Sequence, residues 1–288
     1  MKNLDSLFLK QLSVNSAQYR DPLTQLPWHA LSLDDFWLPP AALSLAGLAD
    51  FERQPELVQR RLSQYEFLHF IQAGLWLEGI FVTRLSRALH QAKSQAEYAY
   101  NLHEIREEAG HSLMFLKLME QSGLHLPHGS FQRPWLADFL GRQAPESSTL
   151  FWLAVVIGEE VPDKLNRFVR SHGDAINPLI QQMCRLHIID EARHIARSRH
   201  TLEQRLASAS ALKRSLLTPA AHALLAQFAR TFYLPSPAVY ELAGLGAGLH
   251  WRELARRNPA RVEFVAQCLR PTLHLLQRHG LHIGQPAL

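Results

Sequence analysis

Cysteine is nearly absent. The 288 residues hold only Cys184 and Cys268, too few for a disulfide framework and suited to a reducing compartment. Long hydrophobic runs are missing as well: the longest uninterrupted apolar stretch, residues 150–157, is far short of the roughly 20 residues that span a bilayer. Residues 1–21 carry no apolar core of signal-peptide length, so a cytoplasmic protein with no membrane partner is expected. Charge is sparse at 19%, against 47% hydrophobic residues, which excludes a disordered chain and leaves enough apolar surface for a sizeable core. Thirty Lys+Arg against 26 Asp+Glu leave a net charge of +4, and the positives are scattered, so no nucleic-acid partner is expected.

No segment alternates apolar and polar residues as a half-buried strand does. Helical spacing runs through nearly everything after Pro55. Residues 1–54, interrupted by Pro22, Pro27, Pro39 and Pro40, read as an irregular N-terminal arm with short helices. A long helix is expected from Pro55 to about Gln91. The capping box Ser94-Gln95-Ala96-Glu97 opens a second, which Gly123 closes after Ser122. A short helix over 134–141, a long one from Glu146 to Ser171, a stop and restart at His172-Gly173-Asp174, and a helix reaching about Ala207 follow. Thr218-Pro219, Ser236-Pro237 and Asn258-Pro259 each look like an N-cap with a first-turn proline, giving three more helices. The expected architecture is one all-α domain over 1–288, with the arm at 1–54, a four-helix bundle at 55–207 and accessory helices at 208–288.

What the sequence does have is histidine, 16 residues of it. Glu-x-x-His sets both side chains on one helical face, one turn apart, where they can share a metal. The pattern occurs three times, as Glu66/His69, Glu108/His111 and Glu191/His194, where composition alone predicts roughly one or two. Position separates them. In an antiparallel helical hairpin, residues equidistant from the turn lie level. Glu78 and Glu108 are centred on the break at Lys93-Ser94, and Glu159 or Glu160 with Glu191 on the break at Gly173-Asp174. Two hairpins thus each bring a lone glutamate level with a Glu-x-x-His, the ligand pattern of a di-iron carboxylate bundle. Glu66 sits three turns away from Glu78 and about 120° round the helix. The Glu66/His69 pair is therefore read as helix surface or as a contact with the arm.

His187 precedes Glu191 by four residues, so His187, Glu191 and His194 share a face and offer three ligands. Asp190 and Glu107 lie beside the ligand face and are expected to hydrogen-bond metal-binding histidines on the neighbouring helix. Arg193, Arg197 and Arg199 read as a solvated helix edge, and Cys184 as a buried thiol. A donor set of carboxylate and imidazole without thiolate suits iron or manganese.

These residues carry a resemblance. Gly74-Leu75-Trp76-Leu77-Glu78, Glu107-Glu108-Ala109-Gly110-His111, Gly158-Glu159-Glu160 and the run from His187 to His194 resemble the p-aminobenzoate N-oxygenase (AurF-like) family of ferritin-like di-iron oxygenases. The similarity covers residues 55–206, and Trp37-Leu38-Pro39-Pro40 shares its flavour. His-x3-Glu-x2-His is its most specific part. The resemblance implies a ferritin-like bundle and a ligand set of Glu78, Glu108, His111, Glu159 or Glu160, His187, Glu191 and His194. It implies two iron ions, with Fe/Mn or Mn as alternatives, and O2 as co-substrate. The reaction would take the nitrogen of a small-molecule amine to hydroxylamine, nitroso or nitro, using an external electron donor. A homodimer is left open. The rival readings are a ferritin-like iron-oxidising store without an organic substrate, a di-metal oxidase acting at carbon, and a metal-free helical scaffold.

Overall fold

Capping chemistry sets the helices that matter most. The Ser94 hydroxyl accepts the Glu97 N–H at 3.2 Å, while the Glu97 carboxylate reaches back to the Lys93 N–H at 2.8 Å. Gly123, left-handed at φ 67°, closes the same helix by returning its N–H to Met119 and Glu120. The computed structural model describes residues 2–172 and 176–288, and among them all regular structure is helical. The chain begins with α1 (Lys2–Ser16), α2 (Pro22–Gln25) and α3 (Ala49–Glu52). The long helices α4 (Glu56–Leu89) and α5 (Gln95–Ser122) come next, then a short α6 (Trp135–Gln143). α7 (Thr149–Ser171) and α8 (Pro178–Ala207) form the second long pair. α9 (Ala211–Tyr233), α10 (Pro237–Leu242), α11 (Gly248–Arg257) and α12 (Pro259–Arg278) complete the chain. None of the described helices is long and apolar enough to cross a membrane.

The α4–α5 and α7–α8 hairpins make the most extensive contacts, and α5 meets α8 between them, which is the four-helix bundle of the ferritin-like fold. α9 and α12 pack on α7, and α10 on α4. Gly158 permits one close approach: a Cβ there would stand 3.3 Å from the Phe81 ring and 3.5 Å from Leu77. Its carbonyl also lacks the usual helical donor, because Pro162 four residues on has no N–H.

Several local expectations need correction. Pro55 is the N-cap, outside its helix, and α7 starts at Thr149 because Ser148, not a residue near Glu146, caps it by accepting the Phe151 N–H. Pro219 lies well inside α9, whose cap is Ser210, so tertiary packing tolerates the lost backbone bond. Four helices rather than three follow residue 208, since α11 starts after a left-handed Ala247 that no Pro or Ser signal announced. The arm opens on a 15-residue helix that packs along α5. Of the expected break at His172-Gly173-Asp174, only His172 lies within the described residues, where it ends α7. α8 is capped by Asn177 with Pro178 in its first turn.

Glu66 and His69 are not helix surface. Ser44 of the arm donates its N–H to the Glu66 carboxylate at 3.0 and 3.1 Å, and its hydroxyl donates there as well. Arg261 of α12 approaches to 3.9 Å. His69 Nε2 bonds the Thr231 carbonyl at 2.9 Å, and burial holds its pKa down at about 4. This Glu-x-x-His fastens the arm and the C-terminal helices to the bundle.

Candidate metal centre

Each of the four bundle helices sends carboxylate or imidazole groups to one buried region. α4 gives Glu78, α5 gives Glu108 and His111, α7 gives Glu159, and α8 gives His187, Glu191 and His194, all of them buried. Their donor atoms form two clusters, each with atoms within 4.8 Å of one another. One is Glu78, His111, His187 and Glu191; the other is Glu104, Glu108, Glu159 and His194.

Two carboxylates span the clusters. Glu108 Oε2 lies 3.4 Å from His111 Nδ1 while its Oε1 lies 3.3 Å from His194 Nδ1. Glu191 does the same from α8, with Oε1 at 3.5 Å from His111 Nδ1 and 3.6 Å from His187 Nδ1, and Oε2 at 3.3 Å from His194 Nδ1. Glu78 serves the first cluster alone, 3.4 Å from His187 Nε2 and 3.7 Å from His111 Nδ1. Glu159 belongs to the second.

The outer nitrogens of two histidines are locked crosswise. Asp190 of α8 accepts from His111 Nε2 at 3.4 Å, and Glu107 of α5 accepts from His194 Nε2 at 3.0 Å. Arg193 sits between these acids and donates to Glu107 at 2.8 Å and to Asp190 at 2.6 Å. Such bonds fix the imidazole tautomer and leave each Nδ1 lone pair free for a metal. The inward atoms are unpartnered: both Glu108 oxygens, Glu191 Oε2, His111 Nδ1 and His194 Nδ1 are buried without a hydrogen bond. Orphaned acceptors aimed at one region are costly in an empty core and apt for divalent cations. The residues fit a pair of metal ions held by oxygen and nitrogen.

Glu160 departs from this arrangement. Although adjacent to Glu159 and fully buried, it turns away to Arg199 and accepts from the Thr272 hydroxyl at 2.6 Å, tying α7 to α12. The arginines also differ from a solvated edge. Arg193 answers Glu107 and Asp190, Arg197 donates to Glu104 at 2.8 Å, and Arg199 pairs with Glu160, each neutralising a buried acid. Cys184 is buried and belongs to neither cluster.

Glu104 was missed by sequence reasoning, yet a signal existed. Glu104, Glu108 and His111 repeat on α5 the four-then-three spacing of His187, Glu191 and His194 on α8. The two motifs run antiparallel across the centre, so Glu104 and His187 occupy matching helical positions in opposite clusters.

Without metal the centre stores protons. Burial alone would depress His111 and His194. The carboxylates outweigh it, Asp190, Glu108 and Glu78 at His111 and Glu108, Glu191 and Glu107 at His194, and hold both well above the ordinary 6.5. Burial together with Glu191 pushes Glu159 well above 4.5, and burial with Glu78 raises Glu108. Glu78 and Glu191 go the other way. Burial would raise them, but Glu108, His111 and His187 at Glu78, and His194 and His187 at Glu191, hold them below 4.5. Raised groups stabilise the native chain while protonated, fully below their unfolded values, and lose that contribution as pH rises. The lowered pair contributes above 4.5 and loses it toward acid. The chelator-treated protein should therefore lose thermal stability as pH rises past 6.5. The metal-loaded protein should instead lose metal as pH falls, because protons compete for the same atoms. Melting curves and metal analysis across pH check both; an apo melting temperature that stays flat above pH 6.5 would contradict the first.

Comparison with known proteins agrees with this geometry. Two curated relatives, uncharacterized protein Rv0885 of Mycobacterium tuberculosis and uncharacterized protein Mb0909 of Mycobacterium bovis, are each 24% identical over 200 residues, covering 67% of this chain. The match spans 59% of each relative's own length. A family model described as P-aminobenzoate N-oxygenase AurF matches residues 5–280. That match takes in the arm, all four helices that carry the candidate ligands and the accessory helices, and the chain therefore belongs to the P-aminobenzoate N-oxygenase AurF family.

Proposed function

We propose that this protein is a non-haem di-iron oxygenase that oxidises the nitrogen of a small-molecule amine, with O2 as co-substrate and an external electron donor. One observation carries the reading: seven buried side chains from four helices converge on one region, and four of them, Glu108, His111, Glu191 and His194, leave inward atoms unpartnered while the outer nitrogens of His111 and His194 are already bound. Glu78, His111 and His187 would hold one ion and Glu159 and His194 the other, with Glu108 and Glu191 shared and Glu104 at the edge of the second set. When bound, two irons supply the electrons that reduce O2 and deliver an oxygen atom to the amine.

The chain's own part is positioning and exclusion. Asp190 and Glu107 keep the protons on His111 Nε2 and His194 Nε2, so neither ring can rotate to offer the wrong nitrogen. Arg193 balances those acids and keeps them oriented. Asn166 supports the extra histidine, its amide lying 3.2 Å from His187 Nδ1. Phe70, Phe81, Phe115 and Phe232 wall the cavity at the first cluster and keep bulk water from the reacting atoms. Oxygen and nitrogen donors without thiolate favour iron or manganese over a structural zinc.

The test is metal analysis followed by single turnover. Two irons per chain are expected, and the reduced protein should consume O2 with transfer of labelled oxygen to an arylamine, read by mass spectrometry. O2 uptake that ignores every amine while ferric mineral accumulates would support the storage reading instead. A preparation without iron or manganese, indifferent to chelator, would end the proposal.

A further inference from the structure

Three small cavities lie in series between the surface and the first cluster. The innermost is lined by the candidate ligands Glu78, Glu159, His187 and Glu191 and otherwise by apolar residues. Leu77 and Phe81 belong to its wall and also to that of the middle cavity, so these two side chains form the partition. The middle and outermost cavities in turn share Phe81, Arg84, Phe151 and Val155. On the outermost wall Trp152 and Val155 are half-buried and the Glu146 side chain is 27% exposed, so the series reaches solvent there.

Size and chemistry restrict what can use this path. Counted as space for the centre of a water-sized molecule, the inner and middle cavities hold about 20 Å3 each and the outermost about 40 Å3. That admits small molecules one at a time and no aromatic ring. Water gains little in the middle cavity. Of the two polar side chains on its wall, Trp76 already donates its indole N–H to Asp138 at 2.7 Å. Arg84 donates through its terminal nitrogens to the Ala144 and Arg142 carbonyls at 2.8 and 3.3 Å, and only its buried Nε is left without a partner. One donor falls short of the roughly two to four bonds that hold an ordered water. A neutral, apolar diatomic gives up no hydrogen bond on entering such a space and makes no demand on the guanidinium beside it.

We propose that these cavities are the route by which dioxygen reaches the metal centre, entering beside Glu146 and passing Leu77 and Phe81 into the space against Glu78 and His187. This rests on the oxygenase reading above and assigns the path of its co-substrate. The partition can yield because Gly158 sets no side chain against the Phe81 ring, where a Cβ would stand 3.3 Å away. Rotation of that ring and a rotamer change at Leu77 open the way for a diatomic.

Two readouts test the route. Crystals of the full chain under xenon pressure, with metal or without, should show a xenon atom in the middle cavity, since dry apolar cavities take up that gas. Ala154 lines the middle cavity and neither of the others. Ala154→Leu should therefore remove the xenon site and keep the full metal content. It should also lower, at least five-fold, the bimolecular rate constant for O2 with the reduced, metal-loaded protein in stopped flow. Val155→Phe, at the junction with the outermost cavity, takes its place if the first variant does not fold. Metal content is measured first: a chain that takes up neither iron nor manganese defeats the oxygenase reading and this inference together. With metals bound, a middle cavity that takes no xenon, or a plugged variant that reacts with O2 at the unaltered rate, overturns the route alone and leaves the oxygenase reading standing.

Discussion

Replacing Glu108 with alanine should reduce the metal held by the chain from two ions to one or none, with affinity at the centre lowered by more than about a hundredfold. Among the described residues only Glu191 also reaches both clusters: one Glu108 oxygen lies 3.4 Å from His111 Nδ1 and the other 3.3 Å from His194 Nδ1. Removing it deletes a donor from each metal position and leaves Glu191 as the one carboxylate facing both imidazoles among the described residues. The fold should survive, because neither oxygen makes a hydrogen bond within the protein. Glu160→Ala is the informative companion. It is just as buried and neighbours Glu159 in sequence, yet it faces Arg199 and Thr272. Metal analysis of the two variants should give opposite answers, and equal metal loss in both would mean that the assignment of Glu159 over Glu160 is wrong.

Glu66→Ala should do the reverse: lower the unfolding free energy by about 3–5 kcal/mol while leaving both metal positions filled. The Glu66 carboxylate accepts from Ser44 twice and faces Arg261, which itself holds the Tyr233 and Ala42 carbonyls at 2.8 and 2.7 Å. Alanine would strand the Ser44 N–H and a buried guanidinium at the junction of arm, α4 and α12. Chemical denaturation monitors the loss, and metal analysis checks the centre. A variant that unfolds at the wild-type denaturant concentration would remove Glu66 from the structural account. One that loses metal would revive Glu66/His69 as ligands.

Much of the site could be read before any coordinates because it follows from helical arithmetic. Three-residue spacing puts a glutamate and a histidine on one face, and the antiparallel register of a hairpin puts residues equidistant from the turn at one height. Glu78 opposite Glu108, and Glu159 or Glu160 opposite Glu191, needed only the positions of two breaks, and those were written in Ser94, Glu97 and the residues near 175. Asp190 and Glu107 could be assigned for the same reason, as acids one residue off the ligand face.

Elsewhere the letters were ambiguous. Arg193, Arg197 and Arg199 look like any exposed basic stripe, and only the packing of α8 against α5 and α7 sets each beside a buried acid. Glu104 escaped notice because its repeat of the α8 spacing has a carboxylate where α8 has His187.

The sequence alone determined an all-helical chain, four helices with candidate ligands and the faces that carry Glu78, Glu108, His111, His187, Glu191 and His194, since periodicity and hairpin register are local properties. Tertiary structure decided which of Glu159 and Glu160 turns inward, which carboxylates span both clusters, and that Glu66/His69 fastens the arm. Each of these depends on how one helix is rotated against its neighbours, and Pro162 perturbs that rotation in α7 beyond what spacing can predict.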